Sequence, residues 1–191
     1  MNAIGKILRS NTRGYVFGCK VTREDVPIFG SFVATRIQYR NATVYGLIHN
    51  IEIGDDGMTR MLSVADQALP EDIEWARARR VPVEASVLCM GYQDEGGLMR
   101  HALPAQPPVT LDTVRGCADA EIAAFTARPD WLRLALDSRD APVDELLAAA
   151  IRIAAGFQRD GAGFTQTCGR ELARLLANDS ARLESLLRRI Y

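Results

Sequence analysis

The side chains in this sequence with the chemistry of nucleophiles or metal ligands are its four cysteines, Cys19, Cys89, Cys117 and Cys168, and its two histidines, His49 and His101. The cysteines are widely scattered with no CxxC pair, which is neither zinc-ligand spacing nor a disulfide framework, and two histidines are too few for a multi-histidine site. The thiols read as reduced small hydrophobes. His49 sits in a strand with apolar residues before and after it, Ile48 and Ile51, as a structural histidine does, and imidazole is a general base only where another group orients it. A dyad of Cys89 with His101 would need the fold to bring the two together.

Phosphate and cation chemistry fare no better. No GxxxxGK followed by Ser or Thr is present, and the nearest glycine clusters, IGDDGM at 53–58 and DEGGLM at 94–99, set carboxylates where a phosphate would sit. Glu52, Asp55 and Asp56 lack the spaced ligands and central glycine of an EF-hand loop. The sequence therefore predicts turns at both clusters, and neither cofactor nor metal. The aromatic set Tyr15, Phe17, Phe29, Phe32, Tyr39, Tyr45 and Tyr92 resembles a base-stacking platform in composition, but such platforms are interleaved with Lys and Arg. Here Lys20, Arg36 and Arg40 are offset by Glu24, Asp25 and Glu52.

The whole chain repeats that balance: 23 basic residues stand against 24 acidic ones, so the positive field that a phosphate backbone requires is not supplied by composition, and nucleic acid is not favoured. With 191 residues, 48% of them hydrophobic and 25% charged, the chain has material for one generous domain or two small ones. No window reaches the roughly 18 consecutive apolar residues of a membrane span. The opening MNAIGKILRS lacks a long apolar stretch ending in a cleavage site, which predicts a cytoplasmic chain.

The elements that must position these residues divide near Pro104. Before it, six stretches rich in β-branched, aromatic and aliphatic residues read as strands: 3–9, 15–21, 31–37, 42–53, 83–93 and 99–103. NTRG at 11–14 and Arg40-Asn41 suit tight links, so neighbours should run antiparallel. LPEDIEWARARRVP, 69–82, reads as an inserted helix near 70–80, with acids at its start and arginines at its end complementing the dipole. After the stiff PAQPP at 104–108, apolar residues fall on a helical period. Five short helices are expected: 119–126; one opened by Pro129 with Trp131, Leu132, Ala135 and Leu136 on one face; 142–155, stopped at Gly156; one carrying Cys168, Leu172, Leu175 and Leu176 after a flexible RDGAG at 159–163; and one capped by Asp179 or Ser180. The last presents Leu183, Leu186, Leu187 and Ile190 as a stripe able to serve as an interaction surface. The fold class is α+β: a six-stranded antiparallel closed β-barrel over 1–105, then a helical domain over 106–191.

Three short motifs, IGKI at 4–7, GSFVAT at 30–35 and VYGLIHNI at 44–51, resemble the strands of the HAS barrel, the small β-barrel named for HerA-type DNA-pumping ATPases and the rotary ATP synthase. In those ATPases the barrel precedes the nucleotide-binding domain and helps arrange subunits in a ring or contacts a partner. No Walker loop follows Leu103 here, so the resemblance implies a detached, non-enzymatic adaptor that joins its own kind or docks on an ATPase. Gly5, Gly30 and Gly46 fit a small barrel physically, because glycine lets tightly bent strands kink or approach closely. Two alternatives from other classes are a nucleic-acid-binding barrel and an enzyme using Cys89, Cys19 or a histidine.

Overall fold

A computed structural model of the chain describes residues 3–21, 26–37, 41–54, 61–62, 64, 69–71 and 81–191. The inserted helix expected near 70–80 lies largely outside the described residues.

The strands are β1 (Ala3–Ser10), β2 (Gly14–Val21), β3 (Phe32–Ile37), β4 (Ala42–Ile53), β5 (Val81–Gln93), β6 (Met99–Arg100) and β7 (Thr113–Gly116). They hydrogen-bond in the order β2-β1-β7-β3-β4-β5-β6, and a further antiparallel pairing of β2 with β5 closes the ring. The result is the expected six-stranded antiparallel barrel, but its sixth stave differs from the one read in the sequence. The stretch at 99–103 yields only the two residues of β6, which hang off the end of β5. The closing strand is β7, lying past the proline stretch and pairing with β1 through Ala3↔Arg115 and with β3 through Ala34↔Arg115. Four residues after PAQPP carry too little periodicity to announce a strand, and the partners that make them one are remote in sequence.

The first link is a tight turn. Asn11 N donates to Gly14 O at 2.8 Å, and the Asn11 Oδ1 accepts from the backbone N–H groups of Arg13 and Gly14 at 2.8 and 3.0 Å. At the return from β3 to β4, Asn41 adopts φ 43°, a left-handed conformation that asparagine tolerates.

Alternation of side chains splits the barrel residues into two sets. Ile7, Phe17, Val33, Val44, Ile48, Val87 and Val114 fill the interior. Phe32, Ala34, Tyr45, Leu47, Leu88 and Met90 point outward, yet they are buried too, in one core with the helices. Because β3, β4 and β5 are covered on both faces, VYGLI and SVLCM read as near-continuous apolar runs.

Five helices follow: α1 (Asp119–Thr126), α2 (Trp131–Leu136), α3 (Val143–Ala155), α4 (Gly161–Leu175) and α5 (Ser180–Ile190). The i, i+3, i+4 stripe of α3, comprising Leu146, Leu147, Ala150, Ile151 and Ala154, is fully buried, and this helix touches each of the other four as well as β4. Of the break expected at 159–163, Arg159 and Asp160 lie in a turn, and 161–163 form the first turn of α4. Asp160 caps it by accepting from Gly163 N at 2.9 Å. An added Cβ at Gly161 would lie 2.7 Å from Ala155 O, so this glycine serves a close crossing rather than a flexible link.

Candidate functional site

The glycines singled out in the sequence sit at close approaches. A Cβ on Gly5 would fall 2.5 Å from the Phe17 ring and one on Gly46 would fall 2.4 Å from Val87 Cγ1. These two positions leave interior volume for a large neighbour on the facing strand. Gly30 lies at the entry to β3, at φ +82°, where a Cβ would meet Ala149 Cβ of α3 at 2.6 Å. It lets the barrel and the central helix touch, and its backbone conformation is one that L-residues rarely adopt.

The stripe on α5 faces inward. Leu186 and Ile190 are buried in the shared core, and Leu183 and Leu187 pack against it. Bidentate Arg182 on Asp144 at 2.8 Å and Arg189 on Glu145 at 2.9 Å hold the helix to the first turn of α3. An amphipathic period in a sequence does not say whether the apolar partner is foreign or the chain itself; here α5 covers its own protein.

The join between barrel and helices has its own polar clamp. Arg115 of β7 donates both terminal nitrogens to Glu121 of α1, at 2.6 and 2.7 Å, and the same carboxylate accepts from Ala118 N at 2.9 Å, satisfying one free N–H of the helix start. The Arg115 hydrogen bonds hold the Glu121 carboxyl below its usual range. The hydroxyl of Tyr45 reaches Glu121 at 3.5 Å, and burial, followed by that carboxylate, pushes its pKa up to about 12.

The thiols are tuned away from nucleophilicity. Burial raises Cys89, Cys117 and Cys168 to about 12 and raises Cys19 as well, whereas an activated cysteine has a lowered pKa. Cys89 points into the barrel, while His101 stands on the helix side, edge-on to Phe125 and 2.8 Å from the Phe125 carbonyl. The fold does not make the dyad. Among the described residues no group of three or more His, Cys, Asp or Glu side chains could hold a metal ion, and no helix is long and apolar enough to cross a membrane.

Among the described residues, what remains open is the opposite wall. The core shared with the helices contains no residue of β1 or β2. Leu8 on β1 is 44% exposed, and Ile7 beside it exchanges backbone hydrogen bonds with the loop entering β7: its O accepts from Leu111 N at 2.8 Å and its N donates to Asp112 O at 3.0 Å. That loop is a tight turn: Asp112 N donates to Val109 O at 3.1 Å and the Asp112 carboxylate accepts from Val109 N at 3.0 Å. Its third residue, Leu111, has φ +68° and is 71% exposed. Glycine or asparagine is the usual occupant of such a position, and a leucine held there costs about 1–2 kcal/mol. Composition and period gave no sign of this leucine; its signal is a backbone angle.

No protein-family model matches the chain, and no curated protein matches it.

Proposed function

We propose that this protein is a non-enzymatic assembly or adaptor module, working in the cytosol, that associates with another protein through the barrel wall its helices leave bare. The observation that carries the reading is Leu111: a strained, left-handed leucine with most of its side chain in solvent, next to exposed Leu8 and Val109. Strain of this kind persists where the surroundings impose it, and it gathers at binding surfaces. A leucine there costs the monomer more in strain than it saves in unfolded-state entropy, but it supplies apolar area to a partner at ~25 cal/mol per Å² before association costs. The sequence resemblance to the HAS barrel points the same way, because that barrel arranges copies in rings. The partner we propose is therefore a second copy of this chain or a HerA-type ATPase.

Light scattering across a concentration series, with and without such an ATPase, tests the reading. Wild-type protein should associate, while Leu111→Glu and Leu8→Glu should weaken association with the fold intact, since exposed substitutions rarely change stability by more than about 0.5 kcal/mol. A chain monomeric throughout and unbound by the ATPase, or association indifferent to both substitutions, overturns it.

A further inference from the structure

A crevice of about 260 Å3 opens where the β1–β2 turn, the middle of β4 and β5, and the loop between α2 and α3 meet, and its lining includes Arg9, Asn11, Arg13, His49, Ser86 and Asp140. His49 reaches it from a β-bulge: Ile48 pairs with Val87 and Asn50 with Ser86, so His49 is the extra residue on β4, a placement that re-aims a side chain. The donors here are uncommitted. Among the described residues the side chains of Arg13 and Ser86 make no hydrogen bond or ion pair, the His49 ring is engaged by its own backbone, and Asn11 uses only its Oδ1, which leaves its amide N–H groups as donors. Arg9, by contrast, is tied to Glu84 at 3.3 Å. One carboxylate, that of Asp140, stands among them and lies beyond ion-pair distance of Arg13 and His49.

We infer that this crevice binds a single carboxylate group, with Arg13 as its charge partner, the Asn11 amide and Ser86 hydroxyl as further donors, and Asp140 as the element that selects against more highly charged anions. The logic is electrostatic. A guanidinium with neutral donors on either side is the recognition set for a planar oxyanion, and hydrogen bonds to an ionised group are about twice as strong as neutral ones. A phosphate dianion would double both the attraction to Arg13 and the repulsion from Asp140, so with Asp140 present the extra charge brings no net gain against its steeper desolvation cost. The volume is small against the ~300–1,000 Å3 of sites for whole drug-sized ligands, and it suits a functional group or one acidic side chain. Burial holds His49 below its ordinary pKa against the opposing pull of Asp140. Acidification would charge it in a crevice that also holds Arg9, Arg13 and Asp140, and should tighten anion binding. The crevice would take its carboxylate whether or not the bare barrel wall docks a partner.

The test is a two-dimensional NMR titration of the full chain, following the His49 ring and the Ser86 and Arg13 amides. Three probes are used: propionate, inorganic phosphate, and a terminally blocked peptide with one glutamate. Saturable shifts with propionate or the peptide, and weaker ones with phosphate, are expected; which of the two binds more tightly identifies the source as a free metabolite or a protein side chain. Arg13→Gln should weaken carboxylate binding about tenfold or more, the loss of one charge-assisted hydrogen-bonding partner. Asp140→Asn should remove the preference over phosphate. Absence of saturable shifts with both carboxylates, or carboxylate binding unaffected by Arg13→Gln, overturns the inference.

Discussion

Inside the barrel, β4 and β5 on one side and β1 and β2 on the other follow the same rule, one apolar side chain in two turned to the centre, but their outer faces diverge. Tyr45, Leu47, Leu88 and Met90 are buried under helices, whereas Lys6, Leu8 and Arg9 meet solvent. The difference shows how one small sheet does two tasks. A strand buried on both faces is held by packing and tolerates little change, while a strand with one wet face is free to vary there and to carry recognition. The helices are therefore part of the barrel's stability rather than a separate appendage, since both belong to one apolar core.

The largest effect that probes this contrast is in the covered half. Trp131 of α2 is fully buried and packs edge-on against Phe32 of β3 with ring centroids 6.0 Å apart. Trp131→Ala should cost about 3–5 kcal/mol, the range for emptying a large aromatic site in a core, whereas Leu8→Ala on the bare wall should cost under about 0.5 kcal/mol. Urea denaturation of the two variants measures both. Similar losses would mean that the wall is not bare, and the contrast would collapse.

The clamp between the two halves gives a smaller, pH-dependent effect. Arg115 holds the Glu121 carboxyl lowered from 4.5, so the stability this contributes is complete above 4.5 and is lost as the pH falls through the depressed folded value. Glu121→Gln should lower stability by about 1–2 kcal/mol at neutral pH, because it weakens the bidentate pair and the cap on Ala118. It should also flatten the acid limb of the stability profile. Denaturation midpoints from pH 7 to pH 3 decide it: an acid limb as steep in the variant as in the wild type would mean that the joint rests on apolar contact alone.

How far the sequence reveals this architecture depends on the range of the signal. The stripe of α3 and the turn NTRG are local patterns, and both form where the residues indicate. The closed barrel was legible because a run of strands, some joined by tight turns, leaves unpaired edges unless the sheet closes. The identity of the last strand was not, since Thr113–Gly116 gains its strand character only from β1 and β3. The crevice is harder still. Asn11, Arg13, His49, Ser86 and Asp140 come from four separate stretches, and nothing in the spacing of one predicts the others. His101, for its part, is a core-side residue set between the Phe125 carbonyl at 2.8 Å and the Asp130 carboxylate at 3.8 Å. Leu111 shows the remaining limit: as a letter it is an ordinary leucine, and only its φ of +68° distinguishes it.

That leucine supplies the smallest and most diagnostic change. Glycine at 111 would remove about 1–2 kcal/mol of left-handed strain and would give back about 0.5–1 kcal/mol through its larger entropy when unfolded. Leu111→Gly should therefore stabilise the monomer by up to about 1.5 kcal/mol, read as a higher urea midpoint with an unchanged slope. Association should weaken in the same variant, because the apolar side chain offered to the partner is gone. Opposite signs for stability and association are what a residue kept for binding requires. A variant that loses stability would instead mean that Leu111 supports the turn through its own packing, and the bare wall would lose its strongest claim to recognition.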